Sequence, residues 1–154
     1  MNNWRRIDID AYDEDVVHET DLYDPDPRDP ATVANDAKQK ATQVRSLISR
    51  GDIPAALAAV LTDAPYGSQF EDAKNVSLSA VLLILNSTKS TDIPGIVKGL
   101  SQDEQDTLMK YLYKGMASQG TEVNGSVLLG WHEKLTEVAG TGCIVRVMTD
   151  RRTV

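Results

Sequence analysis

The sequence predicts an all-α body of about six to seven helices behind an extended, acidic N-terminal tail. Three observations predict it. From residue 31 onward, apolar residues recur at three- and four-residue spacing, the period of a buried helix face. Residues that favour helix starts and stops bracket those stretches. The charge is also segregated. Residues 1–30 hold ten acids against three bases, a net charge of −7, whereas residues 31–154 hold thirteen of each sign.

The tail comes first. Trp4, Ile7, Ile9 and Tyr12 are apolar islands in a charged segment, and Ile7 and Ile9 alternate with Asp8 and Asp10 in an extended pattern. So short a segment cannot bury these side chains in itself. A merely solubilising tail has no need of a Trp, two Ile and a Tyr. The segment therefore reads as one that docks on another protein surface. Residues 15–30 follow as a stiff acidic linker, in which Pro25, Pro27 and Pro30 fix φ and bias their neighbours to extended geometry. Residues 1–30 thus form the tail and linker, expected to be mobile when the chain is alone, and residues 31–154 the helical core.

In the core, Asp29 and Pro30 are placed as cap and first residue of a helix with Val33, Ala37, Ala41, Val44 and Ile48 on one face. Gly51 closes that helix in the left-handed cap position. A short helix follows from Asp52, with Ile53, Leu57, Val60 and Leu61 apolar, and Ala64-Pro65-Tyr66-Gly67 is a turn. Ser68 and Glu71 have the spacing of a capping box for the next helix, which looks fully buried towards its end around Leu82–Leu85. Asp92-Ile-Pro then repeats the form of Asp52-Ile-Pro forty residues on, a period that suggests a helical-repeat architecture.

Ser101 and Glu104 form a second capping box. In the helix they open, Leu108, Leu112 and Met116 recur at i, i+4, i+8, and Met109, Tyr111, Tyr113 and Gly115 widen the stripe to over half the circumference. Such a helix is buried on more than one side. Asp106 lies four residues before Lys110, which reads as a helical ion pair on a solvated lysine edge. After a loop over Ser118–Asn124 comes a helix with Val127, Leu128, Trp131, Leu135 and Val138 on one face, ended by Gly140. For Cys143-Ile-Val-Arg-Val-Met alternation does not decide between strand and helix, and its all-helical setting favours helix. A short basic tail ends the sequence.

Catalytic constellations are missing. His132-Glu133 would need a second His four positions after the first, where Thr136 stands, and the other His, His18, lies in the acidic segment. Gly140-Thr-Gly142 lacks the spacing and Lys of a phosphate loop, and no Ser sits in a nucleophile elbow. Cys143, alone in an apolar run, reads as a small core residue, and a lone Cys fits a reducing compartment. There is no apolar run of 18 residues to span a membrane, and MNNWRRIDID lacks the apolar middle of a signal peptide. The charge balance argues against nucleic acid as a partner. What remains is an interaction protein: a subunit of a larger assembly or, alternatively, a free helical-repeat adaptor that binds a peptide or partner protein.

Four segments sharpen that choice. Arg6-Ile-Asp-Ile-Asp-Ala-Tyr-Asp-Glu, Leu108-Met-Lys-Tyr-Leu-Tyr-Lys-Gly-Met, Val127-Leu-Leu-Gly-Trp-His-Glu-Lys and Gly142-Cys-Ile-Val-Arg-Val-Met-Thr-Asp-Arg-Arg-Thr-Val stand in this order. Together they resemble the sixteen-kilodalton subunit family (subunit 5) of the actin-related protein 2/3 complex. The resemblance implies an α–α superhelix and a non-catalytic role, with no cofactor or metal. It implies membership of a seven-subunit, cytoplasmic assembly that nucleates branched actin filaments in the cortical actin cytoskeleton. It further implies that the core is held by the WD-repeat propeller subunit and by subunit 4, and that the N-terminus reaches actin-related protein 2. The residues expected to make that last contact are Trp4, Arg6, Ile7, Asp8, Ile9 and Tyr12.

Overall fold

Asp29 begins the body as the sequence predicts. Its carboxylate accepts the backbone N–H of Thr32 at 3.1 Å, Pro30 takes the first helical position, and helix α1 runs Pro30–Arg50. Gly51, at φ 78°, ends it in the left-handed cap. The structure, a computed structural model, describes residues 17–22, 26–118 and 124–154. Its other helices are α2 (Ile53–Leu61), α3 (Glu71–Ser87), α4 (Ile93–Gly99), α5 (Gln102–Ala117), α6 (Gly125–Ala139) and α7 (Thr141–Thr149). Short 3-10 turns lie at Glu19–Leu22 and Ser68–Phe70. Among the described residues there is no strand, and the segment that alternation left open is helix α7.

The helices form an α–α superhelix. α1 packs on α2 and α3, α3 passes against α5 and α6, and α5 lies against α6 and α7 as well as α2 and α3. The two Asp-Ile-Pro starts open α2 and α4, each with Pro in the first turn. Their placement differs: α2 lies on α1 and α3, whereas α4 lies chiefly on α6. The resemblance between the two copies is thus one of local chemistry, because Asp and Pro favour helix starts wherever they stand.

α5 is the centre of the body. Ser101 and Glu104 close the predicted capping box in both directions. Leu108, Met109, Tyr111 and Leu112 are all but inaccessible to solvent. They join Leu57, Ile84, Leu85, Leu128, Trp131 and Leu135 in the main core. Trp131 places its indole N–H towards the Leu85 carbonyl at 3.4 Å, so the largest core side chain also carries a polar contact. Gly115 sits where a Cβ would come within 3.2 Å of a Leu128 methyl and 3.4 Å of a Leu82 methyl. The missing side chain lets α6 and α3 approach α5 closely. A second, smaller cluster of Val33, Ala37, Phe70 and Ala73 joins the start of α1 to the start of α3.

Several expectations need correction. Ser68 and Glu71 do not make a capping box: residues 68–70 form a 3-10 turn and α3 starts at Glu71 without a side-chain cap. The cause is Phe70, which is pulled into the small cluster and sets the chain's approach to the helix. The end of α3 is not buried all round, because Leu83 faces out at 41% exposure. Met116, at the end of the α5 stripe, is also exposed. Lys110 is no solvated edge and does not pair with Asp106. It is 9% exposed and bonds Asp150 at 2.7 Å, while Asp106 pairs with Arg146. The C-terminal residues are not a free basic tail, for Val154 is 3% exposed and belongs to the main core.

Two measurements check this packing. Leu112→Ala should lower stability by about 2–5 kcal/mol in chemical denaturation, since Leu112 is fully buried in the main core and its loss leaves a void there. A loss below about 0.5 kcal/mol, the size of a surface substitution, would mean the helix is not central. Cys143 is fully buried, and burial first, then the neighbouring Asp106 carboxylate, pushes its thiol up to about 12. A thiol reagent at neutral pH should therefore label the native protein far more slowly than the denatured one. Equal rates would place the residue at the surface.

Candidate partner-binding surfaces

The residues the sequence singles out for partner binding, Trp4, Arg6, Ile7, Asp8, Ile9 and Tyr12, lie outside the described residues. The described chain places the root of their segment. Residues 26–29 run beside Phe70 and into the cap of α1, with Arg28 over the Phe70 ring.

The body carries a feature that the sequence reading missed. α7 is apolar on two sides: Cys143 is fully buried, and Ile144 and Val147 pack on the core. On the outside, Val145 and Met148, three residues apart, are 60% and 62% exposed. Leu129 on α6 is similarly open. A short helix with apolar residues on opposite sides has one face more than its own core uses. The signal was present in the run Cys143–Met148, where Arg146 alone interrupts apolar residues, but a run reveals no direction until the helix is docked.

Between the α2–α3 loop, α5 and α7 lies a polar cleft of about 700 Å³ lined by Tyr66, Asp106, Lys110, Arg146, Asp150 and Arg152 among others. Lys110, Arg146 and Arg152 are each committed to a carboxylate. Asp150 takes Lys110 at 2.7 Å and Arg152 at 3.2 Å, and Asp106 holds Arg146 by two bonds of 2.6 and 2.8 Å. The Tyr66 ring lies 4.6 Å from the Lys110 ammonium and 5.1 Å from the Arg152 guanidinium. Such ring–cation contacts hold the cations without neutralising them. Deeper in, the Lys74 ammonium meets Glu71 at 3.4 Å and the Thr153 hydroxyl at 3.5 Å. The arrangement fastens the C-terminal segment across α5 and α3. The Tyr66 hydroxyl meets the Thr107 hydroxyl at 3.2 Å, and Thr107 in turn donates to the Asp103 carbonyl, so neither faces a base; the Ser101 hydroxyl, also on the cleft, donates to Glu104 at 2.8 Å within the α5 cap. His132 lies on α6 against Tyr113, its Nε2 3.1 Å from the phenol oxygen. Among the described residues, no His, Cys, Asp and Glu cluster is arranged to hold a metal ion.

Burial alone would raise the Asp150 carboxyl, but the bonds from Lys110 and Arg152 outweigh it and hold the group far below the ordinary carboxylate range. Partial burial acts likewise on Asp106, and Arg146 more than offsets it. A carboxyl lowered by folding contributes stability above its unfolded value of about 3.9, and that contribution is lost as pH falls through the folded value. Wild type should therefore be more stable than Asp150→Asn by a constant margin from about pH 5 to 8, and the margin should close as the solution is acidified below about pH 4. Urea midpoints at stepped pH measure this. A margin that survived full acidification would show that the carboxylate is not what fastens the segment.

The comparisons with known proteins cover nearly the whole chain. The family model described as the ARP2/3 complex 16 kDa subunit (p16-Arc) matches residues 3–154. Actin-related protein 2/3 complex subunit 5 of Saccharomyces cerevisiae is 37% identical over 152 residues, which cover 99% of this chain and 98% of the relative. Subunit 5-B of Xenopus laevis is 37% identical over 153 residues, covering 99% and 95%. The human subunit 5-like protein is 35% identical over the same length, again covering 99% and 95%. The matched span includes both the N-terminal segment and the helical body, so the chain belongs to the family of the 16 kDa subunit, subunit 5, of the actin-related protein 2/3 complex.

Proposed function

We propose that this chain is a non-catalytic structural subunit of the seven-subunit assembly that nucleates branched actin filaments, working in the cytoplasm at the cortical actin cytoskeleton. In this reading residues 1–30 are a docking tail and linker and residues 31–154 a body that rests on scaffold subunits. The tail tethers actin-related protein 2, through Trp4, Arg6, Ile7, Asp8, Ile9 and Tyr12. The body sits on the WD-repeat propeller subunit and on subunit 4. The observation that carries the reading is the division of the sequence: apolar anchors and the entire net charge lie in front, and an electrically neutral helical body follows.

Physically, a docked tail keeps a partner at high effective concentration near the scaffold without forming a rigid wall. The linker residues ahead of the attachment to the body, 15–25, at up to about 3.3 Å each, span roughly 36 Å. That is enough to reach a second subunit and to follow it as it changes position. The outward Val145, Met148 and Leu129 supply apolar area of the kind a scaffold contact desolvates.

Removing residues 1–14 tests the tether. The truncated chain should still assemble with the scaffold subunits, but the complex should lose actin-related protein 2 on dilution and nucleate branches poorly. A truncated complex that keeps that subunit and nucleates at the wild-type rate would reduce the tail to a solubilising extension. A chain that purifies from its own cells as a free monomer would instead favour the adaptor.

A further inference from the structure

We propose that Arg28 is the positioning residue of the tail, a clamp that fixes where the N-terminal segment leaves the body and in which direction. Its guanidinium holds Asp26 through Nε at 3.0 and 3.1 Å and through Nη2 at 2.6 Å. By itself such an exposed pair, only two residues apart, would add little. Arg28 also turns inward, however. Nη2 donates to the Ala64 carbonyl at 3.3 Å, and the guanidinium lies 5.7 Å from the centre of the Phe70 ring. From the other side, the Gln69 amide donates to the Asp26 carbonyl at 3.3 Å. Two positions of the incoming chain are thereby fixed to the loop between α2 and α3.

The neighbouring positions are constrained as well. Pro27 and Pro30 have φ fixed by their rings, and Asp29 is bound as the cap of α1 through the Thr32 amide at 3.1 Å and its hydroxyl at 3.3 Å. Residues 26–30, which the sequence alone places in a mobile linker, therefore have few rotations left, and little entropy is lost in ordering them. Beneath them, Phe70 is buried with Val33, Ala37 and Ala73 in a cluster separate from the main core. The clamp and its foundation form one unit at one corner of the body. A tether anchored on a fixed exit samples a smaller volume than one that pivots freely, and the effective concentration at its far end rises accordingly. That functional consequence rests on the tether reading above; the clamp itself does not.

Nitrogen-15 relaxation on the free protein tests the clamp without any partner. The amides of Asp26, Arg28 and Asp29 should have order parameters near about 0.85, those of rigid backbone. In Arg28→Ala the values at 26 and 28 should fall below about 0.6, while Val33 and the global unfolding midpoint stay unchanged. Arg28→Lys keeps the charge but not the fork, and it should resemble the Ala variant. Low order already in wild type, or no change in either variant, would overturn the clamp. In the assembled complex, Arg28→Ala should lose actin-related protein 2 on dilution faster than wild type but more slowly than the chain lacking residues 1–14. If that truncation has no effect, the tether reading fails while the relaxation result still decides the clamp. If the truncation weakens retention and Arg28→Ala does not, the exit direction carries no function.

Discussion

The body depends on one constraint: α5 has more apolar surface than a single neighbour can cover. Its stripe runs over more than half of the helix, so α2, α3, α6 and α7 are all packed against it. Water must be excluded from each of those contacts at once, and the four helices are therefore fixed relative to one another by what each buries on α5. Gly115 lets two of them come close, and Trp131 fills the space between α6 and α3. Even the polar side of α5 is covered. Lys110 lies under the C-terminal segment, between Asp150 and the Tyr66 ring, and the hydrogen bond to Asp150 offsets the loss of water around its ammonium.

That constraint orders the rest of the molecule outward. Main-core packing ends where α1 and α3 begin, and there the smaller Phe70 cluster takes over. The linker is attached at this corner through Arg28, far in sequence from α5. At the other end, α7 is drawn in by Cys143 and leaves Val145 and Met148 in solvent. The body thus presents a polar root for an acidic tail and, separately, a helix face with apolar side chains in solvent.

Much of this was legible in the sequence wherever the determinants are local. Asp29 with Pro30, the Ser101–Glu104 box and Gly51 act over three or four residues, and each stands where spacing placed it. The α5 stripe and Trp131 were legible because periodicity reports burial directly. What escaped depends on residues distant in sequence. Lys110 looked solvated because its cover, Asp150, comes forty positions later. Ser68 looked like a cap because nothing near it reveals that Phe70 is held by α1. The outward side of α7 has no sequence mark beyond a continuous apolar run, and the clamp at Arg28 needs the α2–α3 loop folded beside it. The tail anchors Trp4, Ile7, Ile9 and Tyr12 rest on their apolar character in a charged, alternating segment and on the family resemblance, and they lie outside the described residues.

The central claim is that one chain meets two sets of neighbours, a partner through its tail and a scaffold through its body. Site-specific photo-crosslinking in the assembled complex, read by mass spectrometry, tests it most directly. Photoreactive side chains at positions 4 and 9 should join to actin-related protein 2, and those at 145 and 148 to a scaffold subunit. Tail adducts confined to this chain's own body, or tail and body adducts to the same subunit, would contradict the account.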